Sequence, residues 1–89
     1  MAYTVRILPA AERQLADLPR EARDHLRAAI RELAERPRPA PPLGRKLASY
    51  AHTYRLAIGD YRLVYEVHKR ELLVLVVWAG NRRDAYRPR

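Results

Sequence analysis

Two alternating segments on either side of Gly59-Asp60 constrain the fold of this chain most strongly. Residues 54–58 are Tyr-Arg-Leu-Ala-Ile, and residues 61–67 are Tyr-Arg-Leu-Val-Tyr-Glu-Val. Alternation of this kind is typical of half-buried β-strands. A two-residue connection with Gly in first place suits a type II′ hairpin turn. The sequence therefore predicts an antiparallel hairpin with a defined register.

That register sorts the side chains of the hairpin onto two faces, because side chains alternate along a strand. Ala57 is predicted to lie opposite Arg62 and Arg55 opposite Val64, which makes the two arginines diagonal neighbours. The other face is apolar and is predicted to join the core: it carries Tyr54, Leu56, Ile58, Tyr61, Leu63, Tyr65 and Val67. Two arginines side by side on a rigid sheet repel each other unless an anion lies between them. The arginine face is therefore the candidate functional surface.

Length and composition limit the classes of protein that this chain can belong to. Its 89 residues predict one domain, residues 1–89, with a modest core. The absence of cysteine excludes disulfides and thiolate chemistry. No apolar run approaches the roughly 20 residues that span a bilayer, and the first residues lack signal-peptide anatomy, so a cytoplasmic protein with no membrane partner is expected. A net charge of +8 favours a polyanionic partner, either a nucleic acid or an acidic protein.

The remaining elements follow from periodicity and proline positions. Residues 3–8 alternate as a first strand, and helical spacing predicts an amphipathic helix over residues 9–18. A second helix is expected to begin near Glu21 and Asp24, with a stripe formed by Ala22, Leu26, Ala29, Ile30 and Leu33. A proline-rich spacer, residues 36–42, then precedes the hairpin. The predicted fold class is α+β, with two layers in the order β-α-α-β-β-β: a helical hairpin on an antiparallel-type sheet.

The last strand and the C-terminal segment complete this prediction. Residues 72–78, Leu-Leu-Val-Leu-Val-Val-Trp, are apolar on both faces and predict an interior strand with Trp78 used for packing. The segment that follows, residues 81–89, is basic. The three histidines have no metal-ligand spacing and are interpreted as surface residues. Glu66 shares a face with Arg62, and a salt bridge explains it more simply than a general base.

These residues resemble the RelE/ParE superfamily of toxins from type II toxin–antitoxin modules. The resemblance covers essentially the whole chain and is most specific over residues 59–67 and 77–86. It implies the RelE fold. Within the superfamily, RelE-like toxins are endoribonucleases that cut mRNA in the ribosomal A site, whereas ParE-like toxins inhibit DNA gyrase and generally lack the ribonuclease residues.

The resemblance also implies roles for individual residues. Arg62 matches the arginine that binds the scissile phosphate, Arg82 matches a second arginine after the last strand, and Tyr86 matches a tyrosine near the C-terminus. Further RNA contacts are expected from four basic residues: Arg55, Arg45, Lys46 and Arg83. Ala57 departs from the pattern, because relatives carry a basic residue there.

The chemistry of these side chains agrees with the implied activity. A ribonuclease that uses no metal or other cofactor lets the 2′-oxygen attack the adjacent phosphorus and leaves a 2′,3′-cyclic phosphate and a 5′-hydroxyl. Arginines stabilise the charge that grows on the phosphate oxygens but exchange protons poorly. Tyrosine can stack on a base or act as a weak acid or base. Such a set predicts dependence on the ribosome to align the mRNA.

Other functions stay open at this stage. The main alternative is a non-enzymatic inhibitor of gyrase on the same fold. A basic domain that only binds nucleic acid, or a toxin that has lost its chemistry, is a further possibility. Arg62, Arg82 and Tyr86 favour the ribonuclease, whereas Ala57 keeps the alternatives open. In every toxin interpretation the expected partner is a RelB-like antitoxin, whose acidic and apolar segment would cover the arginine face.

Overall fold

The computed structural model describes residues 2–37, 44–46 and 52–84. Within these ranges the chain forms two helices and five strands. In chain order the elements are β1 (Thr4–Ile7), α1 (Pro9–Ala16), α2 (Arg20–Glu32), β2 (Gly44–Lys46), β3 (Thr53–Ile58), β4 (Tyr61–His68) and β5 (Leu73–Asn81), followed by a 3₁₀ turn, Arg82–Asp84. The predicted α+β order is confirmed, with β2 as an additional strand.

A proline marks the start of each helix, and the predicted stripes turn toward the core. Pro9 occupies the first turn of α1, where a missing backbone N–H costs nothing. The helix ends at Ala16, two residues before its predicted end, and Pro19 then precedes α2. Glu21 lies in the first turn of α2, while Asp24 lies just beyond that turn and pairs with Arg20 at 3.9 Å.

The hairpin between β3 and β4 has the predicted register. Ala57 pairs with Arg62 and Arg55 with Val64. Gly59 has φ of +55°, the left-handed conformation that a type II′ turn demands of its first central residue. Gly tolerates this conformation without a steric penalty and so permits the two-residue turn. The short turn then fixes the register of both strands.

The sheet is mixed, with strand order β1-β5-β4-β3-β2. The pairs β2–β3, β3–β4 and β4–β5 are antiparallel, whereas β1 and β5 pair in parallel. An antiparallel-type sheet was expected, and the parallel pair arises because the helices and the connector carry the chain from one edge of the sheet to the other before it turns back. β5 is interior, as its apolar run predicted, since it lies between β1 and β4.

The core lies between the helices and one face of the sheet. Its buried side chains come from both layers: Ala11, Leu15, Leu26, Ile30, Leu33, Leu56, Leu63, Tyr65, Val67, Val74, Val76 and Ala79. The Tyr54 and Tyr65 rings stack at a centroid distance of 5.9 Å beside this cluster. Gln14 joins the two layers, because its Oε1 accepts the backbone N–H of Ala79 at 3.0 Å.

Several predictions concern residues outside the described ranges. Most of the spacer over residues 36–42 lies there, as do residues 85–89, which include Tyr86. Among the residues that the structure describes, neither helix has the length and apolar character to cross a bilayer.

Candidate functional site

The face of the sheet opposite the helices carries the predicted functional residues. We call it the open face and define it by Arg55, Ala57, Arg62, Val64, Glu66, Leu73, Leu75, Trp78 and Gly80. Both helices pack on the other face, where the core lies. Because paired residues in adjacent strands share a face, the register arranges the open face in rows.

One row of the open face places Arg62 between two small residues. Ala57 on β3 and Gly80 on β5 pair with Arg62 from either side. Neither cross-strand partner of Arg62 therefore carries a charged or polar side chain. Arg55 lies one row away, diagonal to Arg62 as predicted, and is half-buried.

The guanidinium of Arg62 is held by the hairpin turn. Its Nη1 donates to the carbonyl oxygen of Gly59 at 2.7 Å and to that of Tyr61 at 2.8 Å. A guanidinium has five N–H donors, of which these bonds use only the two on Nη1. The turn therefore orients the guanidinium and leaves the other donors for an anion.

Arg82 meets the same turn from the end of β5. Its backbone N–H donates to the carbonyl oxygen of Asp60 at 2.8 Å, and its Nε lies 4.0 Å from Oδ1 of Asp60. Tyr61 pairs with Asn81, so β5 ends beside the start of β4. The structure thus brings together Arg62 and Arg82, which are distant in sequence, around residues 59–61.

The other predicted RNA-binding residues have different positions. Arg83 is exposed in the 3₁₀ turn next to Arg82, and its backbone N–H donates to Oδ1 of Asn81 at 3.0 Å. Arg45 and Lys46 lie on β2, where their backbones pair with Arg55 and Tyr54. The predicted catalytic Tyr86 lies outside the described residues.

Glu66 belongs to a separate group at the far end of β4. Its Oε1 lies 2.8 Å from Nε2 of His68, and the His68 and His52 rings are 5.9 Å apart. Glu66 therefore hydrogen-bonds to His68, and the expected salt bridge to Arg62 is not formed. Four residues of strand put Glu66 about 13 Å from Arg62 along β4, so it is no general base for a phosphate at that arginine. Among the described residues, no three His, Cys, Asp or Glu side chains are grouped to hold a metal ion.

Trp78 is the open-face residue that sequence reasoning misplaced. Strict alternation from the buried Val74 and Val76 would place Trp78 on the core side, where packing was predicted. A β-bulge intervenes: Tyr65 pairs with Val76 while the preceding Val64 pairs with Trp78. The extra residue in β5 shifts the alternation by one and turns the indole to the open face.

A cleft of about 280 Å³ lies on the other side of the hairpin turn. It is lined by Pro19, Glu21, Ala22, His25, Ile58, Gly59, Asp60 and Tyr61. Its ionisable side chains include two carboxylates and no guanidinium. An RNA phosphate is therefore better matched by the arginines than by this cleft.

Comparison with known proteins identifies the class of protein to which this fold belongs. The family model described as the ParE toxin of the type II toxin–antitoxin system, parDE, matches residues 5–86. The chain therefore belongs to the RelE/ParE superfamily of type II toxins.

Solved structures narrow the likeness within that superfamily. The chain is 26% identical to a chain of the RelBE2 toxin–antitoxin complex from Mycobacterium tuberculosis, with a TM-score of 0.79, covering 92% of this chain and 100% of that one. For the RelE–RelB complex of Pyrococcus horikoshii the identity is 25%, the TM-score 0.81 and the coverage 96% and 100%. For isolated Escherichia coli RelE the identity is 27% and the TM-score 0.78, and the match covers 90% of this chain and 84% of that one. No curated protein sequence matches the chain.

Proposed function

We propose that this chain is an endoribonuclease toxin that cuts mRNA in the ribosomal A site, in the cytoplasm. The observation that supports the proposal best is the convergence of Arg62 and Arg82 on one hairpin turn. The Arg62 guanidinium is oriented by backbone carbonyls, and that of Arg82 lies beside the Asp60 carboxylate. Two guanidiniums at one turn suit the charge that develops on a phosphate under attack. The likeness to RelE structures favours the same branch of the superfamily.

In the proposed reaction the 2′-oxygen of the substrate forms a bond to phosphorus and loses its proton. The bond from phosphorus to the 5′-oxygen breaks, and that oxygen takes up a proton. Arg62 and Arg82 stabilise the phosphate oxygens, while Tyr86 stacks on the substrate or exchanges a proton. Arg55, Arg45, Lys46 and Arg83 attract the flanking RNA.

The proposed dependence on the ribosome follows from the residues around Arg62. Ala57 supplies no charge or proton acceptor beside it, and Glu66 is paired with His68 at the far end of the strand. A site of this kind stabilises charge well and moves protons poorly. Alignment of the mRNA by the ribosome then supplies the missing part, since orientation accounts for up to about 7–11 kcal/mol of a barrier.

Ala57 also supports a second candidate, a ParE-like inhibitor of DNA gyrase without enzymatic activity. The matching family model is described as a ParE toxin. The deciding experiment exposes purified toxin to translating ribosomes with primer extension on the mRNA, and in parallel to gyrase with a supercoiling readout. Cleavage of ribosome-bound mRNA with normal supercoiling is expected, together with slow cleavage of the same RNA without ribosomes. Blocked supercoiling with intact mRNA would establish the second candidate instead.

The proposed partner is a RelB-like antitoxin, whose acidic residues would meet the arginines of the open face. Leu73 and Leu75 are half-buried on that face and offer apolar contacts for the same segment. Electrostatic steering should make association fast and sensitive to salt, while apolar contacts keep dissociation slow. Kinetics across a salt series test this, and an on-rate indifferent to ionic strength would remove the arginines from recognition.

A further inference from the structure

Trp78 lies on the open face close to Arg62. Trp78 pairs with Val64, and Gly80, two residues later on the same face, pairs with Arg62. Trp78 and Arg62 are therefore diagonal neighbours, with Cα atoms about 7–8 Å apart by sheet geometry. This distance suits a single nucleotide, with its base at one residue and its phosphate at the other.

The indole extends from Trp78 over Gly80. A Cβ added at Gly80 would lie 2.8 Å from both Cη2 and Cζ2 of Trp78, closer than such contacts normally come. Gly80 does not have the positive φ that would demand glycine, so its missing side chain makes room for the ring. The six-membered ring thus lies along β5 over Gly80, the residue that pairs with Arg62.

The surroundings of the ring favour a nucleobase as its contact. Trp78 is half-buried and does not belong to the cluster that packs in the core. Arg62 and Arg82 lie at the same end of the sheet and attract the phosphate of a nucleic acid. An aromatic side chain beside a cationic track is the arrangement that binds single-stranded nucleic acid, because every base has a π-face.

We propose that Trp78, held over Gly80, is a stacking platform for the base of the nucleotide whose phosphate lies at Arg62. This inference rests on the proposed ribonuclease function and adds a substrate contact to it. The platform fixes the base, and the base in turn positions the phosphate against the guanidinium. Since stacking alone does not distinguish bases strongly, Trp78 contributes affinity and orientation more than sequence preference.

Trp78 is the only tryptophan of the chain, which allows a direct test. The full-length toxin is titrated with a 2′-O-methyl RNA trinucleotide, which has no 2′-hydroxyl for the reaction, and with the same backbone carrying abasic sugars. The base-containing probe should quench the selectively excited indole fluorescence in a saturable way, whereas the abasic probe should not. Absence of saturable quenching by the base-containing probe would overturn the platform.

Variants separate stacking from a structural role. Trp78→Leu should weaken binding of the base-containing trinucleotide by roughly 5- to 150-fold and leave the affinity for the abasic probe unchanged. Trp78→Phe should retain most of the affinity. Leu8→Ala, which removes apolar volume from an exposed residue outside the open face, is the control and should bind both probes normally. An equal loss for both probes in Trp78→Leu would show that the indole only supports the sheet.

Gly80→Ala moves the ring without deleting it. The added Cβ displaces the indole, so we expect a shifted fluorescence spectrum and weaker binding of the base-containing probe alone. Unchanged affinity after a shifted spectrum would contradict the proposed position of the base.

The platform and the ribonuclease can fail separately. If Trp78 variants bind normally while Arg62→Ala abolishes cleavage of ribosome-bound mRNA, the stacking role of Trp78 is refuted and the ribonuclease function is supported. If the base-containing probe stacks on Trp78 but the wild-type toxin never cuts mRNA, the ribonuclease function is refuted and the nucleotide-binding site at Trp78 is supported.

Discussion

Asp60 places a negative charge beside the arginine that is proposed to bind phosphate. Its Oδ1 lies 4.0 Å from Nε of Arg82, and the two side chains are 75% and 63% exposed. Asp60→Asn removes the charge and keeps the shape of the side chain. The bond from the Arg82 N–H to the carbonyl oxygen of residue 60 involves only backbone atoms and is retained. We expect this variant to bind RNA more tightly than the wild type.

The expected changes in stability and in RNA affinity follow from the exposure of Asp60 and from its distance to the bound phosphate. An exposed ion pair contributes only about 0.2–1 kcal/mol to folding, so the free energy of unfolding should fall by no more than that. A phosphate on the far side of the Arg82 guanidinium would lie about 7 Å from the carboxylate, where the repulsion in water is roughly 0.6 kcal/mol. Removing this repulsion strengthens phosphate binding about threefold at low ionic strength. The gain should shrink as salt approaches physiological concentration, where the screening length is about 8 Å.

The assay is a titration of labelled, uncleavable RNA with wild-type and Asp60→Asn protein at several salt concentrations. Asp24→Asn is the control, because Asp24 is an exposed acid on α2 that pairs with Arg20 at 3.9 Å. Asp24→Asn changes the net charge by the same amount but leaves Asp60 in place. Its affinity for RNA should therefore rise by less than that of Asp60→Asn. Equal or weaker RNA binding by Asp60→Asn at low salt would refute a phosphate site at Arg82.

Three further predictions concern the structure that holds the site. Gln14→Leu leaves the buried N–H of Ala79 without its acceptor and should lower the free energy of unfolding in urea by about 1–3 kcal/mol. Gly59→Ala meets no atom within 4 Å but must adopt φ of +55°, so it should cost about 1–2 kcal/mol and lower Tm by roughly 4–16 °C in calorimetry. Arg62→Ala removes two hydrogen bonds to the turn and should cost at most about 1–3 kcal/mol of stability in the same urea assay, with the fold retained. A loss of the circular dichroism signal of the folded state in Arg62→Ala, or no change at all in Gln14→Leu, would contradict these assignments.

The hairpin was predictable in detail because its information is local. Gly59 permits the turn, the turn sets the register, and alternation then assigns each side chain to a face. The positions of Arg55 opposite Val64 and Ala57 opposite Arg62 follow from these rules and agree with the structure. The stripes of both helices are predictable for the same reason, since each depends only on spacing within one segment.

Features that depend on distant parts of the chain were not predictable in this way. The parallel pairing of β1 depends on the path of the whole chain, and no local pattern encodes it. The bulge that turns Trp78 outward is one extra residue in an apolar run in which either phase of alternation looks equally suitable. The contact between Arg82 and Asp60 exists only because β5 ends beside the turn. Sequence reasoning thus placed Arg55 and Arg62 on the correct face of the sheet but placed Trp78 on the wrong one.

The proposed function requires that Arg62 and Arg82 act together on one phosphate of ribosome-bound mRNA. The most direct measurement is the single-turnover cleavage rate of that mRNA by the Arg62→Ala/Arg82→Ala toxin, compared with the wild type. Lys69→Ala/Arg70→Ala is the matched control, since it removes the same charge from exposed residues at the opposite end of the hairpin. Losing one preorganised donor lowers a rate by a factor of about 10²–10³. The cleavage rate of the double arginine variant, the site variant, should therefore fall by at least that factor, while that of the control stays near the wild-type rate. Equal rates for the site variant and the control, with both proteins folded, would contradict the claim.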